Sequence, residues 1–336
     1  MKKRVEWLDT CKGIATMFVI MVHIDCTPDI YRRIVSAFFL PAFYFVSGYF
    51  FSSQDNNKKI WIKEMSRLRK WFCAFFLLNF VNISVMSLLG KVFNKEYDFW
   101  ERIKDFLLQF PGKNDSLWFL ACLMVASLFF SFLVTIFRKN NYMLITIVVV
   151  VYIIGLVISN TFGVMYWHLD TALVATGYYA LGYYYKLNAN KIEKYINKKN
   201  LLILSLLYFI IIYFRFLVFD GNRNDMHLAY YGNIPLFVMS SFLGLGVFII
   251  LCQLVPQRKS IMFVGENSLF YYMFHGKVLL LLNPLSRTLG ISKGDVLSYF
   301  VTPVYVIITC IILVLPSIAV NKYFPIIVGK SGKKGA

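Results

Sequence analysis

The chain has 336 residues, of which 59% are hydrophobic and 15% charged. A soluble globular domain sits nearer half and a quarter, so the composition excludes an ordinary water-soluble enzyme and points to a protein that lives in lipid. The formal charge of +18 does not point to nucleic acid, because the basic residues stand mostly between apolar runs. There they set orientation or meet anionic lipid headgroups, and no aromatic–basic binding module accompanies them.

The apolar runs are too long for a soluble core. Residues 117–137 and 236–255 contain no charge, and each is about as long as a helix that crosses the hydrocarbon core of a bilayer. In chain order the spacing predicts ten spans, at 10–27, 34–52, 68–89, 117–137, 142–159, 166–185, 201–219, 235–255, 267–283 and 297–320. The expectation is therefore an all-α, polytopic membrane protein whose 336 residues form one domain, since the longest gap, 90–116, is too short to fold alone. The start Lys2-Lys3-Arg4 has the charge of a signal peptide, but no small-residue cleavage site follows, and Asp9 and Lys12 interrupt the apolar stretch. It reads as a retained first span. Cys11, Cys26, Cys73, Cys122, Cys252 and Cys310 are scattered without a C-x-x-C pair, which argues against a disulfide scaffold or a zinc site. No internal repeat is visible, which weakens a transporter built from inverted halves.

Orientation follows from the basic residues on alternate sides. With the N-terminus inside, most of the 35 lysines and arginines fall on inner segments and most of the 17 acidic residues on outer ones. The expectation is a multi-pass protein of the cell's plasma or inner membrane with both termini cytoplasmic.

An ionisable side chain inside a span is costly, and so is a functional candidate by default. The first span reads Asp9-x-x-Lys12 and then, after a long apolar stretch, His23. Lys12 and His23 are 11 positions apart, which brings them within about 20° of one face, and Asp9 lies about 40° to the other side. Thr16 falls on the same stripe. The rise from Lys12 to His23 is roughly 16 Å. A cation at the inner surface and a titratable imidazole deeper in suit a long ligand with an anionic head, such as coenzyme A. The alternative is that His23 bonds a neighbouring helix and Lys12 anchors it.

Four segments in order carry a resemblance. They are Lys12-x10-His23; Pro41-Ala-Phe-Tyr-Phe-Val-Ser47-Gly48-Tyr49; Leu117-Trp118-Phe119-Leu120; and Gly265-Glu-Asn-Ser268 followed by Tyr271-Tyr272-Met-Phe-His275. Together they resemble the acyltransferase-3 family of membrane acyltransferases, most closely its fucose 4-O-acetylase-like, sugar O-acetyltransferase branch, over nearly the whole chain. The family more often has arginine where Lys12 stands, which makes the contact here less directional. It usually has proline where Ala74 stands, a matter of local helix shape.

The resemblance implies an acyl-CoA donor, acetyl-CoA in that branch, used as co-substrate with no tightly bound cofactor. The acceptor it implies is a hydroxyl of a cell-surface or lipid-linked carbohydrate. A neutral imidazole at His23 can take the proton of a sugar hydroxyl as the thioester is attacked; a covalent acetyl-imidazole is equally open. Asp9 and His275 join His23 as candidates for the chemistry, although a tyrosine-rich span can also bury a histidine for packing. Arg67 and Lys70, three apart at the inner end of the third span, can face one way and join Lys12 on the donor phosphates, or simply obey the orientation rule. Ser47 and Gly48 suit close helix approach. At outer span ends Trp118, Asn233 and Arg215, with Asp170, Asp220, His227 and Tyr231 nearby, are candidates for acceptor binding or ordinary interfacial residues. The rival to an O-acetyltransferase is a carrier or flippase of glycans or lipids without transfer chemistry.

Overall fold

A computed structural model describes residues 4–52, 56–92, 98–109, 117–218 and 224–329. Every regular element in them is helical. The α-helices are Glu6–Val22 (α1), Asp29–Val35 (α2), Phe39–Tyr49 (α3), Asn57–Val92 (α4), Phe99–Leu108 (α5), Trp118–Phe137 (α6), Asn141–Phe162 (α7), Leu169–Leu187 (α8), Ala189–Ile192 (α9), Lys198–Val218 (α10), Ile234–Leu254 (α11), Lys259–Glu266 (α12), Ser268–Thr288 (α13), Val296–Ile312 (α14) and Val314–Tyr323 (α15).

Each of the ten predicted spans carries a helix, but fewer are long and apolar enough to cross a membrane. Five stretches are: Asn57–Val85, Trp118–Phe137, Asn141–Phe162, Ile234–Leu254 and Val296–Tyr323. A sixth arises if Ala189–Tyr195 and Lys198–Arg215, bent by 81°, count as one span. The others fall short for visible reasons. α1 has 17 residues and carries Glu6, Asp9 and Lys12, α3 has 11 residues, and α13 bears His275, Lys277, Asn283 and Arg287. The gap expected at 90–116 contains the helix α5, started by Asp98, whose carboxylate accepts from the Trp100 and Glu101 amides at 2.9 and 3.0 Å. Lys2, Lys3, Asp55 and Asp220 lie outside the described residues.

The chain divides into two compact units. The first comprises Met1–Tyr49, Tyr184–Asp225 and Tyr231–Ile318. At its centre α1 packs against α3, α11, α12, α13 and α14. Its contact with α12 is backbone on backbone, because glycine stands at both crossing points. A Cβ on Gly13 would lie 2.2 Å from the Ile261 carbonyl oxygen, and one on Gly265 only 1.8 Å from that of Asp9. Small residues are what allow helices in an apolar setting to come this close.

The second unit comprises Phe50–Tyr183, Met226–Tyr230 and Ala319–Ala336. Here α4 packs on α5, α6 and the 3-10 turn Pro325–Val328, and α6 packs on α7. Phe51, Phe130, Tyr179 and Tyr183 form an aromatic cluster with ring centroids 5.1 to 6.1 Å apart. Hydroxyls in the apolar helices are satisfied inside their own helix, as at Ser131, Thr135 and Thr176, each bonded to the carbonyl four residues back at 2.7 to 2.8 Å.

Candidate functional site

His23 is the residue on which α1 ends. Its ring Nδ1 lies 2.7 Å from the Val19 carbonyl oxygen. A carbonyl can only accept, so Nδ1 carries the proton and Nε2 is the basic nitrogen of the neutral ring. The same rule holds at His275 in α13, whose Nδ1 lies 3.1 Å from the Tyr271 carbonyl oxygen. In both cases the helix's own carbonyl, one turn back, selects the tautomer. The two imidazoles meet edge to face, with centroids 4.9 Å apart and planes at 65°. His275 is buried and His23 is exposed at the surface of its unit.

The turn after His23 is fastened to α13. The Asn283 amide donates to the His23 carbonyl at 3.4 Å and accepts from the Asp25 backbone at 3.2 Å. Arg287 donates from Nε to Asp25 at 2.9 Å.

At the other end of α1, Lys12 Nζ pairs with Asp9 at 2.9 Å, and Arg4 Nε pairs with the second oxygen of Asp9 at 2.8 Å. Arg4 also pairs with Glu266. The stripe read from sequence is thus divided. Its N-terminal part is a charge cluster, Asp9 belongs to that cluster, and His23 stands with His275 instead. Thr16, between them, returns its hydroxyl to the Lys12 carbonyl at 2.7 Å.

In the second unit Arg67 lies at the centre of a polar knot. Its guanidinium pairs with Glu64 and donates to Ser127 Oγ at 2.7 Å and Tyr179 Oη at 2.6 Å. Ser127 in turn donates to Glu64. Glu64 is 3% exposed, and Ser127 and Tyr179 are fully buried. The Trp71 ring covers the guanidinium at 5.0 Å, and Arg67 Nε is buried without a partner. Lys70, one turn on, is exposed.

The residues at the predicted outer ends divide by use. In the second unit Asp170 is fully buried and accepts from the Met165 amide, Ser159 and Thr171 at 2.9 to 3.2 Å. It therefore holds the turn between α7 and α8. In that turn Trp167 and His168 take left-handed backbone angles, φ 57° and 51°, a strained arrangement for residues other than glycine. Trp118 is buried against His168 and His227, with centroids 5.1 Å away in each case and the two imidazoles 5.8 Å from each other. In the first unit Asn233 caps α11 by accepting from the Leu236 amide at 3.1 Å, and buried Arg215 donates to Asn224. Among the described residues no group of three or more His, Cys, Asp or Glu side chains is placed to hold a metal ion, and none of the six cysteines is in a disulfide.

Residues 5–322 match the family model of the acyltransferase-3 acyltransferase domain. The chain belongs to the acyltransferase-3 family. No significant match was found among curated proteins or solved structures. Family membership and the long apolar helices together make this a membrane acyltransferase.

Acyl transfer asks for a group that takes a proton from the acceptor, and in this acyltransferase-3 protein two imidazoles in contact offer basic nitrogens of known identity. The residues that sequence reasoning missed are Glu64, Ser127 and Tyr179. A carboxylate three positions before Arg67 on one helix was the available signal, but nothing in the sequence points to the hydroxyls that complete the knot.

Proposed function

We propose that this protein is an O-acetyltransferase of the fucose 4-O-acetylase-like branch. In this reading it moves an acetyl group from acetyl-CoA to a hydroxyl of a cell-surface or lipid-linked carbohydrate, with His23 as general base. The observation that carries the reading is the His23 ring at the end of α1, with Nδ1 committed to Val19 and Nε2 as its basic atom. That nitrogen takes the acceptor's hydroxyl proton while the oxygen bonds to the thioester carbonyl carbon. The C–S bond then breaks with its electron pair going to sulfur, and the proton passes from His23 to the thiolate, so that coenzyme A leaves as the thiol.

Lys12 contacts the donor's phosphates. It stands roughly 16 Å along α1 from His23, a distance that an extended pantetheine arm spans. Its pairing with Asp9 fixes the ammonium in place, which assigns Asp9 to the donor end rather than to proton transfer. Arg67, committed to Glu64 within its own unit, is read as structural. All ten helical stretches belong to the membrane-embedded body in this reading, with both termini cytoplasmic.

The test is purified protein in lipid, given labelled acetyl-CoA and candidate lipid-linked sugars. Label transfer to the sugar is expected. Tight sugar binding with no thioester consumed would make the protein a carrier and overturn the proposal.

A further inference from the structure

We propose that Asp25 is an acceptor-binding residue, whose carboxylate accepts a hydrogen bond from a second hydroxyl of the sugar that His23 deprotonates. This rests on the reading of His23 as base, and it names what the acceptor must carry beside the reacting hydroxyl: a free hydroxyl close by.

Asp25 follows His23 by two residues in the turn after α1, which puts their Cα atoms no more than about 7 Å apart. The chain alternates through that turn. His23 is exposed and Asp25 half-buried, whereas Ile24 and Cys26 are 0% and 2% exposed. The two polar side chains thus stand on the open side of the turn and the two apolar ones on the packed side.

The carboxylate is held at one oxygen. Arg287 brings both Nε and a terminal nitrogen to Oδ2, and among the described residues nothing donates to Oδ1. Guanidinium and carboxylate frequently meet fork to fork, using both oxygens; here the whole fork goes to one. The group therefore has a fixed direction and keeps the acceptor capacity of its second oxygen.

The backbone beneath it is tied from two helices. Asn283 of α13 accepts from the Asp25 amide at 3.2 Å and donates to the His23 carbonyl at 3.4 Å, and Arg32 of α2 donates to the Ile24 carbonyl at 2.6 Å. Side chains carried on so fixed a turn lose little freedom when a ligand arrives.

An ionised carboxylate only accepts hydrogen bonds. It pairs with a hydroxyl hydrogen and repels a phosphate, so its ligand belongs to the acceptor and not to the anionic donor. A sugar has hydroxyls on neighbouring ring carbons. Holding one of them at Asp25 turns the ring so that the other faces the base, which is orientation of the kind that accelerates a bimolecular step. The acceptor class is accordingly a sugar with two hydroxyls close together, one acetylated and one held. Asp25 takes up no proton, and the transfer itself balances as already written.

The test uses the lipid-reconstituted protein, the sugar that takes label from acetyl-CoA, and monodeoxy analogues of that sugar. In Asp25→Ala, kcat/KM for the acceptor should fall about 10- to 100-fold, the range for a hydrogen bond to a charged group. KM for acetyl-CoA and the unfolding temperature should stay unchanged. One monodeoxy sugar should be poorer for the wild type by a similar factor, and wild type and Asp25→Ala should use that sugar equally well, because the bond is already gone. A residue that only shapes the turn would slow every acceptor alike. That uniform loss would overturn the proposal, as would an undiminished kcat/KM for the full sugar in Asp25→Ala. Should Asp25→Ala fail to fold, Asp25→Asn keeps the shape without the charge; its loss should be smaller but again absent on the one deoxy sugar, and a uniform loss there counts equally against Asp25. Wild-type protein that labels no sugar removes the reading of His23 and this inference together, whereas label transfer that Asp25→Ala leaves untouched removes only the role of Asp25.

Discussion

The two units each set ionisable groups together on their apolar helices, and they do it in opposite ways. In the second unit Arg67 meets Glu64, and Ser127 and Tyr179 supply the remaining bonds, so the charges are neutralised where they stand. In the first unit His23 and His275 meet edge to face, and each ring bonds a carbonyl of its own helix. A neutralised pair is stable because its capacity for exchange is used up. A pair of like groups with fixed tautomers keeps the capacity to take a proton. The first arrangement suits holding helices together, and the second suits chemistry.

The largest effects should appear where this contrast is removed. His23→Gln keeps a hydrogen-bonding shape but cannot take the proton usefully, and kcat should fall by roughly 10²–10⁴-fold while coenzyme A binding and unfolding temperature stay near wild type. In the second unit the expected signature is reversed. Glu64→Leu leaves half-buried Arg67 without its counter-charge and should cost about 1–3 kcal/mol of stability, seen as a lowered unfolding temperature, with any activity loss following the loss of folded protein. Replacing Glu64 and Arg67 together by leucine should recover most of that cost, because a matched apolar pair leaves no orphan charge. A Glu64→Leu protein that melts like wild type but no longer uses acetyl-CoA would reverse the assignment and make Arg67 a donor ligand.

Lys12 lies between these extremes. It is half-buried and paired with Asp9, yet stands at the end of the stripe that leads to His23. Lys12→Ala should raise KM for acetyl-CoA about tenfold, the range of one charge-assisted phosphate contact, with acceptor KM unchanged. Lys12→Arg should be mild or favourable, since a guanidinium grips phosphate at two points. An unaltered donor KM in Lys12→Ala would reduce the Lys12–Asp9 pair to a structural one, like that at Arg67.

What could be read from the sequence follows the same division. Lys12 and His23 stand out as candidates because a polar residue in an apolar run has no disguise, and helical periodicity puts the two near one face. Glu64 does not, because it stands among Lys58, Lys59, Lys63, Arg67 and Lys70 and looks like one more residue of a charged segment. Its burial depends on Ser127 and Tyr179, far away in the chain. Asp170 and Asn233 show the other side of this. Both are polar residues beside aromatic ones at an expected membrane edge, but Asp170 is spent on the α7–α8 turn and Asn233 on capping α11. A sequence shows the donor or acceptor and not whether its own backbone has already claimed it. The Gly265–Ser268 block was legible as a motif, but not as the break between α12 and α13 that lets α12 lie backbone-to-backbone on α1.

The smallest expected effect is at Arg287. Its side chain is 71% exposed and that of Asp25 38%, and an ion pair so open contributes about 0–1 kcal/mol. Arg287→Ala should therefore leave the unfolding temperature almost unchanged. The pair nevertheless belongs to the fastening that sets His23 against His275, so kcat should drop, by no more than about fivefold for a contribution of that size. The drop should shrink as salt is raised, since the pair is solvent-accessible. Asn283→Ala removes the two amide bonds to the same turn, neither of which is an ion pair, and its effect should persist in salt. A larger kcat loss at Asn283 than at Arg287, each at constant stability, places the register of the two imidazoles in the amide. No loss at either position would mean that ring contact alone aligns them, and the turn after His23 would then be a connection rather than a part of the site.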